Sequence, residues 1–326
     1  MNTAGQDMQS GAPSPIPAAP VLGPVQIEAL SRLFGTWPRL AELDHLVTPI
    51  SPLALRLIQF DPERQQAAGE LVDIVESDPL LTARVLGLAN AAAYSGSGKL
   101  IFEVKSAVLR LGMNTTTRVA LAQLAAVWMR KGTRMPDRAM MRALWYEYLI
   151  TAFCAHEIAW VLGDSAVSPN VAYAGGLLHD IGTLAFCGAA PELMSLFVRA
   201  GYARGTPLHQ QFVEAHTGLG EALLSRCGAP ATLCEIAARH HAGFSPEESA
   251  PAIVVHLADH LHQGVLSRAQ GQLTVGDDIP LGCFPESDPA LNEIVEALEL
   301  SVTLDQILEN VAADSGRIEA LAADIG

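Results

Sequence analysis

A histidine followed by an aspartate, His179-Asp180 in GGLLHDIGTLAF, stands where an apolar helical run ends. Adjacent side chains at a helix end can both turn toward one metal ion. Imidazole supplies a borderline nitrogen and carboxylate a hard oxygen, a mixture that suits iron, manganese or magnesium. More donors follow: Glu214 and His216 in FVEAHTGLGEALL, His240-His241 closing PATLCEIAARHH, and Asp259 in VVHLADHL. Each has an ordinary alternative. A lone His-Asp pair is usually a capped helix end, His240 and His241 can complement the negative end of a helix dipole, and Asp259 can pair with a buried histidine. Taken in order along one chain, they suggest a common cleft.

Helices must position these donors, and the sequence reads as helix from Val25 onward. Phe212, Leu219, Leu223 and Leu224 mark the buried face beside His216. Val255, Leu257, Ala258 and Leu261 do so beside Asp259. Upstream, Leu71, Ile74 and Val75 share a face. Asp78 can cap the next helix, with Pro79 at its first position, and Leu81, Val85, Leu88 and Ala92 continue at helical spacing. A helix over 104–111 stops at Gly112. Asn114 or Thr115 can cap the following one, which carries Val119, Leu124 and Val127. After the linker KGTRMPDR, Pro136 can open a long helix through Trp145 and Ile158 to Gly163. Further helices are expected at 191–203, 207–227, 230–241 and 250–263, with an amphipathic pair over 288–320. Gly264 to Pro289 reads as the long loop. No strand ladder and no internal repeat is evident.

Composition narrows the class. Half of the 326 residues are hydrophobic and only 6% are aromatic, a balance that favours helices. The five cysteines are odd in number and none has C-x-x-C spacing, which argues against disulfides and thiolate zinc. The N-terminus has no secretory pattern, and no apolar run approaches the ~20 residues that span a bilayer, so a cytoplasmic location is expected. Net charge is −15, but Leu80 to Arg142 holds ten Lys/Arg against two Asp/Glu. That segment is either a set of helix faces that are basic by chance or a docking surface for an acidic or phosphate-bearing partner, with Arg130, Lys131 and Arg134 as its candidates. DNA binding is not expected, because no helix-turn-helix or aromatic-basic pattern accompanies the charge.

The order His-Asp, further His, then Asp resembles the HD superfamily of metal-dependent phosphohydrolases. LVTPISPLALRLIQF, IVESDPLLTARVLGLANAAAY and VKSAVLRLGMNTTTRVAL look like the first half of an HDOD domain. LWYEYLITAFCAHEIA, AGGLLHDIG, EAHTGLGEALL and ARHHAG look like the second. The resemblance covers about residues 44 to 262. It implies an all-α fold, an N-terminal helical subdomain packed on an HD-like helical core. The expected divisions are a disordered Pro/Ala-rich tail at 1–24, helical halves at 25–134 and 135–264, and a loop with C-terminal helices at 265–326.

Carried over position by position, His179 and Asp180 match the metal-binding doublet, and His216, His240 or His241, and Asp259 match the later ligands. Glu147 stands where a hydrolase has its first histidine. Thr183 replaces the lysine that often follows HDIG, and Gly243-Phe244-Ser245 lies where cyclic-dinucleotide hydrolases carry GYP. HDOD domains look like hydrolases that lost part of their metal site and are associated with bacterial signalling. The resemblance therefore implies a non-catalytic regulatory module, in which His179 and Asp180 brace helices. Its partner would be a response regulator, a cyclic-dinucleotide protein or a nucleotide ligand. No cofactor is required on this reading; where metal is retained, iron or manganese is expected, with magnesium as a further candidate. The alternative is a metal-dependent phosphohydrolase or phosphodiesterase, with Glu147 as substitute ligand or general base. An HD-type diiron oxygenase is a smaller alternative.

Overall fold

The computed structural model describes residues 21–41, 49–91, 100–132, 138–163, 167–242, 249–268, 294–295 and 298–323. Among the described residues every regular element is a helix. The first half holds α1 (Pro24–Phe34), α2 (Trp37–Leu40), α3 (Pro52–Ile58), α4 (Ala67–Glu76), α5 (Pro79–Asn90), α6 (Val104–Leu111) and α7 (Met113–Gly132). Then come α8 (Arg138–Leu162), α9 (Pro169–Leu178), α10 (Ile181–Ala189), α11 (Pro191–Arg199), a 3-10 turn (Gly201–Ala203), α12 (Pro207–Arg226), α13 (Ala231–Arg239) and α14 (Ala250–Arg268). The last two are α15 (Leu304–Ala313) and α16 (Ser315–Ala322).

Local chemistry explains the boundaries. Asp78 Oδ1 accepts hydrogen bonds from the Leu80 and Leu81 amides at 2.8 and 3.0 Å, and Pro79 opens α5. Thr303 and Gln306 form a capping box at the start of α15. Gly112 ends α6 at φ 81°, a conformation that costs glycine little.

Three expectations are corrected. Neither Asn114 nor Thr115 caps α7, because the helix begins at Met113, directly after Gly112. The Thr116 and Thr117 hydroxyls instead donate back to the Gly112 and Met113 carbonyls. The helix expected over 250–263 continues to Arg268, so 264–268 is helix rather than loop; 269–289 lies outside the described residues. The helix expected over 191–203 breaks after Arg199, where Tyr202 and Ala203 take positive φ in the 3-10 turn. The tail residues 1–20, together with Pro136, Arg134 and Gly243-Phe244-Ser245, also lie outside the described residues.

Helix α8 forms the spine. Its Trp145, Tyr146, Tyr148 and Ile150 are fully buried, and it packs against α9, α14, α15 and α16. Close crossings depend on missing side chains. A Cβ on Gly176 would lie 2.5 Å from Ala152 Cα, so α9 can cross α8 in backbone contact. A Cβ on Gly182 would lie 1.9 Å from the His216 carbonyl oxygen, so α10 crosses α12 in the same way.

Part of the basic segment faces inward. Arg118 pairs with Asp314 at 3.4 Å, Arg142 with Glu319 at 3.1 Å, and Arg84 donates to the Ala320 carbonyl. The Tyr146 hydroxyl also donates to Glu319. Cations from three helices thus hold the chain's own acidic C-terminal helices. Arg130 is exposed near the end of α7, while the side chain of Lys131 is outside the described residues.

Candidate metal centre

The turn between α9 and α10 carries His179 and Asp180, α12 carries His216, and the end of α13 carries His240 and His241. Asp180, His216, His240 and His241 each offer a donor atom within 4.8 Å of the others. Three of these converge closely. Asp180 Oδ1 is 3.2 Å from His216 Nε2 and 3.4 Å from His240 Nε2, and the two imidazole nitrogens are 3.3 Å apart. The centre of that triangle lies about 1.9 Å from each corner, so these three side chains would be within reach of one shared cation.

The other ring nitrogens explain the orientation. His216 Nδ1 donates to the Phe212 carbonyl at 2.8 Å, and His240 Nδ1 to the Ala237 carbonyl at 3.0 Å. An Nδ1–H anchored on backbone leaves Nε2 with a bare lone pair, the arrangement metal-binding histidines use. No hydrogen then lies between Asp180 and the two rings, and Asp180 Oδ1 is a buried oxygen without a hydrogen-bond partner. Such an atom calls for an explanation, and a cation supplies one. The donor set thus fits a metal.

Electrostatics prepares the same set. Burial works against the charge of Asp180, but the imidazoles of His216, His240 and His179 hold its carboxyl well below the usual range. Burial and neighbouring imidazoles lower His240 and His241. An ionised Asp180 and lowered His240 and His241 both run in the direction that metal binding requires.

The His-Asp doublet is divided between two tasks. His179 Nε2 faces Asp259 Oδ1 at 3.4 Å, both side chains being buried. Its Nδ1 donates to the Gly176 carbonyl at 2.9 Å. Burial opposes protonation of His179, yet Asp259 and Asp180 raise its pKa to about 9. The pairing of Asp259 with a buried histidine, the ordinary alternative in the sequence, is therefore present. Glu147 is buried beside this pair, and burial followed by the charges of Asp259 and Asp180 pushes it up to about 8. Glu214 lies on α12 two residues before His216.

Several supporting residues escape a search for donors. The Tyr148 hydroxyl donates to the Asp180 carbonyl at 3.2 Å. Phe212 stacks on His216 at 4.5 Å between centroids. The Nδ1 of His256 donates to the His240 carbonyl, tying α14 to the end of α13. His256 stands in the same apolar helix as Asp259, a signal available in VVHLADHL. Gly182 sits in HDIG, but only the crossing shows why it is glycine.

Comparison with known proteins places the chain. The HDOD domain family model matches residues 48–243. An uncharacterized protein of Treponema pallidum (strain Nichols) is 26% identical over 189 residues, 56% of this chain and 36% of the relative, so the match spans about a third of that protein's length. An HDOD domain protein of unknown function from Geobacter sulfurreducens superposes with a TM-score of 0.64 at 22% identity, over 92% of this chain and 99% of that one. A candidate signal-transduction protein from Marinobacter aquaeolei VT8 gives 0.59 at 18% identity, over 92% and 65%. A candidate metal-dependent phosphohydrolase from Shewanella amazonensis SB2B gives 0.52 at 17%, over 93% and 100%. Among the described residues no helix is long and apolar enough to cross a membrane.

Proposed function

The chain belongs to the HDOD family, and from that premise we propose that it is a signal-transduction module acting by binding rather than turnover, with its HD site kept as a closed single-metal centre. The observation that carries this reading is the burial of the donors. His216 and His240 are fully shielded and the Asp180 side chain is 13% exposed. Structural metal sites are closed, whereas catalytic ones keep a position open to substrate. Three imidazoles to one carboxylate favour iron, with manganese next, over magnesium. Such a cation would neutralise Asp180 and tie the α9–α10 turn to α12 and α13. The signalling role is supported by the family resemblance and by the Marinobacter protein's name. The partner would be a response regulator, a cyclic-dinucleotide protein or a nucleotide ligand in the cytoplasm.

A second reading has its own support. His241, like Asp180, is only partly buried, and the Shewanella protein is named for metal-dependent phosphohydrolysis. One experiment separates the two. Protein purified without chelators or a metal-carrying tag is assayed for metal content and for hydrolysis of bis(p-nitrophenyl) phosphate. About one equivalent of iron or manganese, lost in His216→Ala and without hydrolysis, supports the closed centre. Hydrolysis that follows metal content and vanishes in Asp180→Ala establishes the enzyme reading instead. Metal below about a tenth of an equivalent removes the centre.

A further inference from the structure

A second concavity is formed by the α3–α4 connection, the first turn of α7, the end of α8 and the start of α9. Its volume is about 960 Å³, within the usual span for small-molecule clefts. Trp160 lines it and is 53% exposed. His156, one helical turn earlier, lines it too, with its ring plane 6° from that of Trp160 and centroids 6.4 Å apart. His156 is only 5% exposed, and its Nδ1 is buried with no hydrogen-bond partner. The metal donors Asp180, His216, His240 and His241 are not among the residues that line this cleft.

These features specify a ligand chemistry. A half-exposed indole in a concave wall offers a stacking face, with the His156 imidazole beside it. Stacking tolerates any flat π-system, so the polar wall must select. His156, Asn114 and Gln59 offer donors and acceptors for the edge of a heterocycle. The start of α9 adds backbone amides, since Ser168 makes no side-chain cap there. Charge sets the limit. The described wall carries Asp61, Glu63 and Arg64, and Arg64 already pairs with Asp61 at 3.4 Å. A phosphate would meet more acid than base.

We propose that this cleft binds a neutral heteroaromatic ring of the purine class, as free base or nucleoside, stacked on Trp160 and read at its edge by His156. The site is independent of the metal centre. A lowered imidazole pKa, about 3, from burial and the neighbouring Arg118 keeps His156 neutral, with one donor and one acceptor nitrogen.

Titration calorimetry on the full chain tests this with adenosine, guanosine and their 5′-monophosphates, before and after treatment with EDTA. Saturable binding of a nucleoside is expected, weaker for its monophosphate and unchanged by EDTA. Trp160→Ala, a change at a half-exposed position, should keep the helical signal and weaken binding roughly 5- to 150-fold, the worth of one stacking platform. Absence of saturable binding by both nucleosides overturns the proposal, as does binding that survives Trp160→Ala. Binding lost on EDTA treatment or in His216→Ala places the ligand at the metal centre and also overturns it. Failure of the metal assay leaves this outcome untouched.

Discussion

Gly182→Ala tests the geometry of the centre without touching a donor atom. The added Cβ would lie 1.9 Å from the His216 carbonyl oxygen, 2.8 Å from the His216 carbonyl carbon and 2.9 Å from the Gly220 nitrogen. All three are backbone atoms, so no side-chain rotation relieves the clash. Restoring even a tight 3.0 Å contact requires α10 and α12 to part by about 1.1 Å. Asp180 precedes Gly182 by two residues and His216 is the group struck, so the parting acts directly on the Asp180–His216 spacing. Metal bonds tolerate only ~0.2 Å. Overpacking costs about 1–3 kcal/mol, and an obstacle made of backbone puts this case near 3 kcal/mol. At ~1.5 °C per kcal/mol for a chain of 326 residues, Tm should fall by roughly 4–5 °C. Bound metal should drop from about one equivalent to below a tenth. Gly87→Ala is the control, because nothing lies within 4 Å of its added Cβ; a gain of about 0.4–1 kcal/mol is expected there. Calorimetry and metal analysis on both variants decide the matter. A Gly182→Ala protein with wild-type Tm and full metal would refute the crossing as described.

The two aspartates should separate in urea unfolding of metal-free protein at pH 7. Asp259→Ala strands a buried, protonated His179 and should cost about 3 kcal/mol. Asp180→Ala removes a 13% exposed carboxylate that the flanking imidazoles favour, and should cost less than Asp259→Ala while abolishing metal uptake. Equal costs would count against the division of the doublet. Acid stability should report His156. Its folded pKa lies below the unfolded value, so the unfolded chain gains a proton first, and stability present above about pH 6.5 is lost as pH falls toward 3. His156→Gln should reduce the acid slope by about 1.4 kcal/mol per pH unit between pH 6 and 4; an unchanged slope would place the titration elsewhere.

Much of this molecule is legible in its sequence because helical periodicity and capping are local. Leu71, Ile74 and Val75 are buried together as their spacing requires, and Asp78-Pro79 starts α5 through bonds spanning three residues. The all-α class follows from such runs, while the family rests on the resemblance of longer motifs and the family model over 48–243. The cap expected at Asn114 or Thr115 fails because Gly112 already ends one helix and lets the next begin at once.

The types of side chain able to ligate can be read from the sequence, but not which of them come together. His179 and Asp180 are adjacent in the chain, yet one pairs with Asp259 from α14 and the other meets His216 and His240 from α12 and α13. Likewise the surplus of positive charge at 80–142 can be counted, but its engagement of Asp314 and Glu319 cannot. Sequence determines which side chains can ligate, cap or carry charge, since those are properties of residues and their near neighbours. Which of them share a space of 3–4 Å is decided by how helices cross, and at Gly176 and Gly182 those crossings depend on backbone contacts between segments far apart in the chain.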